Sequence, residues 1–349
     1  MPNKRRLSIA FPIAILILAL PPLARAQGSA ATEPPPAPGQ GAWRGYDFVP
    51  GTLVLFATDL ADVAIGRFPA DQLEYVEGSA QVIEKDGNRV LEFTDATRFR
   101  VNFAEPLPED LTLEFAGQTG GPSMRINVFF VPQDVPIGRY EHPYLSVWRD
   151  AGIFVKGRPV SSTDGYAEIA QRMVPVRLRL EGEYAILYLD ALRAANMPTA
   201  RIPRSSTLEF EVSASRTHPA YLGEIVVASG GSAPEQALAE SGSFSTRGVV
   251  FADGGDALRP ESTPVLEAIR SVMEATQDLA IVVEDHTAAD AELSQRRADA
   301  VVRYLVEGGI AGDRLTAEGK SNAEAIADGT TPNGRLENRR VVIRTRGTE

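Results

Sequence analysis

The fold of the C-terminal region is decided by two stretches, Leu293-Ser294-Gln295-Arg296-Arg297-Ala298 and Gly334-Arg335-Leu336-Glu337-Asn338-Arg339-Arg340-Val341. The first lies in a run with helical periodicity that ends at Gly308-Gly309. The second leads into an apolar run typical of a buried strand. The predicted elements of this region are strands at 249–251, 279–283, 314–317 and 341–343 and helices at 261–275 and 290–306. This alternation predicts an α/β (α+β) domain over residues 247–349.

The region from Gly248 to Arg346 resembles the OmpA-like family, which includes the C-terminal domain of OmpA, MotB and Pal. Asp285-His286-Thr287 matches the start of the family's ligand loop, and the two stretches quoted above match its helix and closing motifs in the same order. The resemblance implies a cell-envelope protein of a Gram-negative bacterium that binds peptidoglycan noncovalently. The implied ligand is the diaminopimelate of the stem peptide, and no catalytic residue is implied.

A peptidoglycan site follows from this resemblance. The residues it implies are Asp285, Thr287, Asp290, Ser294, Arg297, Asn338 and Arg340. Diaminopimelate presents a carboxylate and an ammonium together, which calls for a guanidinium and an acidic side chain. Arg297 follows Leu293 by four positions and Ser294 by three, so it shares their helix face. The family motif places Arg297 and not Arg296, so the resemblance implies that Arg297 holds the carboxylate. The alternative is a solvated arginine like its neighbour Arg296.

The acidic half of this site departs from the family pattern. After Thr287 the family aspartate is replaced by Ala288, and the loop reaches Leu293 several residues early. Asp285 or Asp290 is a candidate replacement, although Asp290 equally suits the N-cap of the following helix. Losing one charge-assisted contact costs about 1.5–3 kcal/mol. The alternative function is therefore a domain that no longer binds peptidoglycan and serves as a protein–protein interaction module.

The closing motif offers two further arginines. Arg339 and Arg340 lead into the last strand, and alternation along it is expected to send them to opposite faces, so that one arginine lies near the ligand loop and the other in solvent. Asn338 is expected to hold a turn by bonding the backbone.

Residues 46–229 show short strands separated by turn residues. Val176 to Leu180 alternates apolar and basic residues without a break, which indicates a strand with one buried face. Lys85-Asp86-Gly87-Asn88 is typical of a hairpin turn. Many such strands without a helical period predict an all-β, jelly-roll-like sandwich.

This β-sandwich resembles concanavalin A-like (laminin-G-like) domains. The resemblance is carried by Leu55-Phe56-Ala57-Thr58-Asp59-Leu60, Ile65-Gly66, Pro69, Ala185-Ile186-Leu187-Tyr188-Leu189-Asp190 and Val226-Val227. Tyr140, Tyr144 and Trp148 suggest a glycan or another envelope component as its partner, because aromatic faces suit sugar rings. The alternative is that they are ordinary rim and core aromatics. No sequence pattern of a glycosidase is present, so no enzyme is expected.

The first 26 residues have the order of a secretory signal peptide: basic residues, an apolar run and Ala24-Arg25-Ala26. Cleavage after Ala26 predicts a periplasmic protein associated with the cell wall or outer membrane, with no integral membrane span in the mature chain. The alternative is an uncleaved anchor. Residues 27–45, rich in Pro, Ala and Gly, and residues 230–246 are predicted linkers.

Composition excludes several kinds of site. The chain has no cysteine, which excludes disulfides, thiolate metal sites and a lipidated N-terminal cysteine. With only three histidines and no close spacing among them, no metal or other cofactor is expected. The formal net charge of −11 repels nucleic acid, so no nucleic-acid partner is predicted.

Overall fold

A computed structural model of the chain describes residues 45–131, 139–163, 167–230, 233–287 and 290–347. The predicted signal peptide at 1–26 and all but the last residue of the predicted linker at 27–45 lie outside these residues. Within the described ranges, no helix is both long enough and apolar enough to cross a membrane.

The N-terminal region forms two antiparallel sheets. Its strands are β1 Leu53–Thr58, β2 Glu74–Glu77, β3 Ala80–Lys85, β4 Asn88–Phe93, β5 Thr97–Asn102, β6 Leu111–Gln118, β7 Ile126–Phe130, β8 Tyr144–Val147, β9 Gly152–Val155, β10 Arg158–Ser162, β11 Val174–Glu181, β12 Tyr184–Leu189, β13 Leu192–Met197, β14 Thr207–Val212 and β15 Ala220–Ser229. One sheet has the order β13-β12-β11-β6-β15-β4-β3, with β1 also paired to β15, and the other has the order β10-β9-β8-β7-β14-β5-β2. The predicted β-sandwich is confirmed.

The two sheets share one apolar core, and the strand pattern explains how. Along β11, Val176, Leu178 and Leu180 are buried, whereas Arg177 and Arg179 lie on the opposite face and are only partly buried. Phe99 of one strand stacks on Phe210 of the neighbouring strand at 4.9 Å between ring centroids. Burial of these side chains stabilises the sandwich by roughly 25 cal/mol for each Å² of apolar surface removed from water.

The C-terminal region is an α/β domain built on one small sheet. Its elements are α1 Pro234–Ser241, β16 Ser243–Thr246, α2 Thr263–Ala275, β17 Ile281–Asp285, α3 Ala291–Glu307, β18 Leu315–Gly319, α4 Pro332–Asn338 and β19 Val341–Thr345. The sheet order is β16-β19-β17-β18, in which only β17 and β18 run parallel. The predicted apolar stripe of α2 is buried at Val265, Leu266, Ile269 and Met273, and α3 packs on β17 and β18.

Two predicted features of this domain are wrong. Residues 249–251 form no strand, and Phe251 makes only an isolated bridge to Leu258. The first strand of the sheet is instead β16, which lies with α1 inside the segment predicted as a linker at 230–246. Val249 and Phe251 are 4% and 8% exposed, so their apolar character reflects packing in the core. The Ser and Gly residues around β16 have low strand propensity, which hid an edge strand that β19 holds in place.

Helix α4 was not predicted either, and it joins the two domains. Thr331 accepts a hydrogen bond from Gly334 N at its start, and the helix ends before Arg339, so the predicted strand alternation from Arg339 is wrong. On the side facing the sandwich, Leu336 is buried with Val54, Ala57 and Val226. A Cβ atom on Gly334 would lie 2.0 Å from the carbonyl oxygen of Asp328, so this position of α4 requires glycine.

Polar contacts reinforce the junction between α4 and the sandwich. The backbone N of Ala57 donates to Asn333 Oδ1 at 2.7 Å, and Arg335 forms a two-point ion pair with Asp59. Arg339 NH2 lies 3.1 Å from Glu224 Oε1. We call Asn333, Arg335, Leu336 and Arg339 the docking face of α4.

Candidate functional site

At the end of β17, Asp285 and Thr287 are joined by hydrogen bonds, and we call these two residues the platform. The carboxylate of Asp285 accepts from Thr287 Oγ1 at 2.7 Å and from Thr287 N at 3.2 Å, and Asp285 is fully buried. Burial raises the pKa of Asp285, and the hydrogen bonds from Thr287 oppose this shift. Since the oxygens of Asp285 are engaged and out of contact with solvent, this carboxylate holds Thr287 in place instead of facing a ligand.

Arg297 lies beside the same platform. Its NH1 group donates to Thr287 Oγ1 at 2.7 Å and its Nε to the carbonyl oxygen of Gly255 at 2.8 Å. The guanidinium also lies 4.9 Å from the ring centroid of Phe251, within cation–π range. Arg296, in contrast, is 53% exposed at its side chain and lies 4.0 Å from Glu292 in an ion pair. The two adjacent arginines therefore differ as the helix face predicts, with Arg297 alone at the platform.

Asp290 and Ser294 both support helix α3. Asp290 is its N-cap residue and accepts a hydrogen bond from Leu293 N at 2.6 Å. Ser294 is fully buried, donates to the carbonyl oxygen of Asp285 at 2.7 Å and accepts from Ser321 N at 3.0 Å. Both residues thus position the helix that carries Arg297.

Asn338 and Arg340 shape the neighbouring loop. Asn338 Oδ1 accepts from the backbone N of Ile326 and Ala327, and its Nδ2 donates to the carbonyl oxygen of Ala327. Arg340 is 5% exposed and donates through NH2 to the carbonyl oxygen of Glu324 at 3.0 Å. Burial lowers the pKa of Arg340. These contacts fix the 324–327 segment opposite the platform.

A cavity of about 470 Å³ opens between the platform and this loop. Thr287 lines it, so the cavity and Arg297 share one contact residue. Its lining includes Thr287, Glu324, Arg335, Arg339 and Arg340 of the C-terminal domain and Asp59 of the sandwich. The cavity thus combines guanidinium and carboxylate groups, and both domains contribute to its wall.

One group of side chains in the described part of the chain has the spacing of a metal site. The ligand atoms of Glu284, His286 and Glu324 lie within 4.8 Å of one another. Arg344 Nε lies 2.8 Å from Glu284, and Lys320 Nζ lies 3.8 Å from Glu284 and 3.5 Å from Glu324. Two cations therefore already compensate Glu284, the buried carboxylate of this group, which disfavours a metal ion held between it and its neighbours.

Several residues of this site were not assigned a role from sequence. Arg335 and Arg339 belong to a motif that sequence identified, but their partners Asp59 and Glu224 lie more than a hundred positions away along the chain. Glu324 lies in a loop without periodicity. No local sequence feature distinguishes Asp59 or Glu324 from other surface carboxylates.

The aromatic residues proposed for glycan binding divide into two places. Tyr140 and Tyr144 pack edge to face at 5.4 Å, and Tyr144 stacks on Phe129 at 4.7 Å. Trp148 instead contacts the guanidinium of Arg125, 4.7 Å from its ring. Tyr144 is 2% exposed, so of the two tyrosines only Tyr140 offers substantial surface to a ligand.

Comparison with known proteins identifies the C-terminal region. Residues 250–339 match the OmpA family. Over 101 residues the chain is 32% identical to the peptidoglycan-binding protein ArfA of Mycobacterium tuberculosis, a match that covers 27% of this chain and 31% of that protein. It is 35% identical over 97 residues to outer membrane protein A of Bordetella avium, covering 26% of this chain and 50% of that protein.

Among the solved structures similar to the N-terminal region is a protein of unknown function with a galectin-like fold from Bacillus subtilis. It is 13% identical, with a TM-score of 0.37, and the match covers 52% of this chain and 98% of that one. The chain spans half or less of the length of the two relatives named above. The sequence matches and the sheet with its flanking helices agree on one conclusion: residues 250–339 of this chain are an OmpA family domain.

Proposed function

We propose that this chain is an exported envelope protein that binds peptidoglycan noncovalently through its OmpA family domain. No catalytic step is part of this function. The ligand group is the stem-peptide diaminopimelate, whose carboxylate Arg297 would receive. The names of related proteins support the proposal, because ArfA is called a peptidoglycan-binding protein and other relatives are outer-membrane proteins.

The observation that carries the proposal is the position of Arg297. Its guanidinium donates to Thr287, which lines the 470 Å³ cavity. No hydrogen bond of its NH2 group is found within the described ranges, so one arm of the guanidinium is available to an anion. A charge-assisted hydrogen bond to a carboxylate is worth about 1.5–3 kcal/mol.

Sedimentation with purified sacculi tests the proposal, using Arg297→Ala and, as a matched control, Arg296→Ala. The chain without residues 1–26 is preferable to a fragment that starts at 247, because that fragment lacks β16 and α1. We expect Arg297→Ala to weaken binding by about one to two orders of magnitude and Arg296→Ala to bind like the wild type. Failure of a folded wild-type chain to pellet with sacculi would reject the proposal.

Export and a role for the sandwich are further parts of the proposal. Sequencing the N-terminus of the protein recovered from a bacterial envelope would detect cleavage after Ala26. The sandwich would bind a glycan or another envelope component, with exposed Tyr140 as one contact. A glycan array of the wild type against Tyr140→Ala tests this, and equal binding by both would exclude Tyr140.

A second function is favoured by a specific observation. Two arginines of the closing motif, Arg335 and Arg339, pair with Asp59 and Glu224 of the sandwich. Together with the family aspartate replaced by Ala288, this supports an OmpA family domain that serves as a protein–protein module. In that case the sacculus assay is negative, and crosslinking in the envelope recovers a protein partner.

A further inference from the structure

The shortened ligand loop leaves open which group receives the ammonium of a zwitterionic ligand. Asp285 is fully buried, and its carboxylate accepts hydrogen bonds from Thr287. Asp290 accepts from Leu293 N as the N-cap of α3. Asp285 therefore lacks both the exposure and the free oxygen atoms that a ligand ammonium needs. Asp290 is exposed, but it caps α3 through Oδ1 and is not among the residues that line the cavity.

Two carboxylates line the cavity beside Thr287, those of Asp59 and Glu324. Asp59 is 12% exposed at its side chain, and its oxygens accept from Arg335 and from the backbone N of Ala61. Its hydrogen-bonding capacity is largely used inside the protein. Its role at the cavity is to hold Arg335 in the wall.

Glu324 differs from Asp59 in the exposure of its side chain and in the hydrogen bonds to its carboxylate. Its side chain is 46% exposed, and its carboxylate receives no hydrogen bond from any residue in the described ranges. Its ion pairs are long, at 3.5 Å to Lys320 and 4.0 Å to Arg344. The backbone is nevertheless fixed, because Arg340 donates to the Glu324 carbonyl oxygen at 3.0 Å. A positioned carboxylate with free oxygen atoms is what a primary ammonium requires.

We propose that Glu324 supplies the ammonium-binding carboxylate that the loop after Thr287 lacks, in a cavity to whose lining the sandwich contributes Asp59. The ligand class is an amine with a carboxylate on the same carbon, as in the free end of diaminopimelate. Arg339 lines the same cavity and donates through NH2 to Glu224. Its guanidinium is the group that would receive an anionic part of the ligand. This inference rests on the proposed peptidoglycan function.

Glu324→Gln tests the proposal, because it removes the charge and keeps the shape. The matched control is Glu318→Gln: Glu318 also pairs with Lys320, at 2.8 Å, is 43% exposed and does not line the cavity. Each variant of the leaderless chain is titrated against native sacculi and against sacculi whose free amino groups have been acetylated. Acetylation removes the ammonium and leaves the carboxylates, so it separates the Glu324 contact from a structural role.

For native sacculi we expect Glu324→Gln to weaken binding by about ten- to hundredfold and Glu318→Gln to change it little. Acetylation should weaken the wild type by a similar factor and leave the Glu324→Gln variant unchanged. The inference is overturned if Glu324→Gln binds native sacculi as tightly as the wild type does. It is also overturned if Glu324→Gln binds more weakly than the wild type by the same factor on native and on acetylated sacculi. If the wild type binds neither kind, the peptidoglycan function itself fails, which is a separate result.

Discussion

Helices α3 and α4 each carry a sequence motif of the family, but the arginines of the two motifs contact different domains. Arg297 of α3 turns into its own domain and contacts Thr287 and Gly255. Arg335 of α4 pairs with Asp59 of the sandwich and also donates to the carbonyl oxygen of Thr330 in its own domain. Both motifs are recognisable from sequence, but of these two arginines only Arg297 contacts the platform.

This difference shows that a motif fixes the local fold more firmly than it fixes the partner of an exposed side chain. On α3 the arginine packs against Phe251 and the platform, which are part of the same domain. In the described part of the chain, the outer face of α4 is not covered by its own domain. It packs instead on β1 and β15 of the sandwich through Leu336. The sandwich thereby contributes Asp59 to the lining of the cavity beside Thr287.

The largest effect should come from removing the apolar centre of the docking face. Leu336 is 8% exposed, and Leu336→Ala should lower the free energy of unfolding by about 2–4 kcal/mol. Trp148 lies in the sandwich, and a Trp43→Phe background makes it the single tryptophan, whereas all helices longer than one turn in the described ranges follow residue 233. Tryptophan fluorescence and the helical circular dichroism signal therefore report on different domains during urea unfolding.

In the wild type we expect the two transitions to coincide, and in Leu336→Ala we expect them to separate. The control is Leu192→Ala, since Leu192 is 40% exposed on the sandwich. Coincident and unshifted transitions in Leu336→Ala would show that the docking face does not couple the domains.

A smaller, pH-dependent effect is expected at Asp59. Burial disfavours its ionised form, but the hydrogen bonds from Arg335 and Ala61 outweigh burial and hold the pKa of Asp59 below its ordinary value of 3.8. A lowered carboxyl pKa contributes stability that is complete above the ordinary value and is lost as the pH falls through the folded value. Asp59→Asn should therefore cost about 1.5 kcal/mol at neutral pH, and this cost should shrink below about pH 4.

Urea unfolding of the wild type and Asp59→Asn across this pH range measures the difference. The matched control is Glu77→Gln, which removes a more exposed carboxylate that pairs with Arg98 on the same domain. A difference between wild type and Asp59→Asn that stays constant from neutral to acid pH contradicts the role of this ion pair at the junction.

The smallest effect should be found on the exposed face of α3. Glu292 is 90% exposed at its side chain and lies 4.0 Å from Arg296. Such solvent-screened pairs contribute little, so Glu292→Ala should change the free energy of unfolding by a few tenths of a kcal/mol at most. A larger loss would mean that this face of α3 is covered by something other than solvent.

The sequence by itself determined the β-sandwich, the α/β domain and the platform face of α3. Strand alternation at Val176–Leu180 and the helical stripe at Val265–Met273 each encode which face is buried. Strand alternation and the helical stripe are local periodicities, so burial follows from the order of neighbouring residues. Arg297 was distinguished from Arg296 by the family motif together with its spacing from Ser294.

Only the tertiary structure decided where β16, α4 and the cavity lie. The strand β16 exists because β19 pairs with it, and α4 is recognisable as an interface because Leu336 meets Val54 and Val226. Asp59 and Arg335 are 276 positions apart along the chain, and no periodicity links them. Contacts between distant segments depend on how the two domains dock. Docking depends on many residues of both domains, so no single motif predicts it.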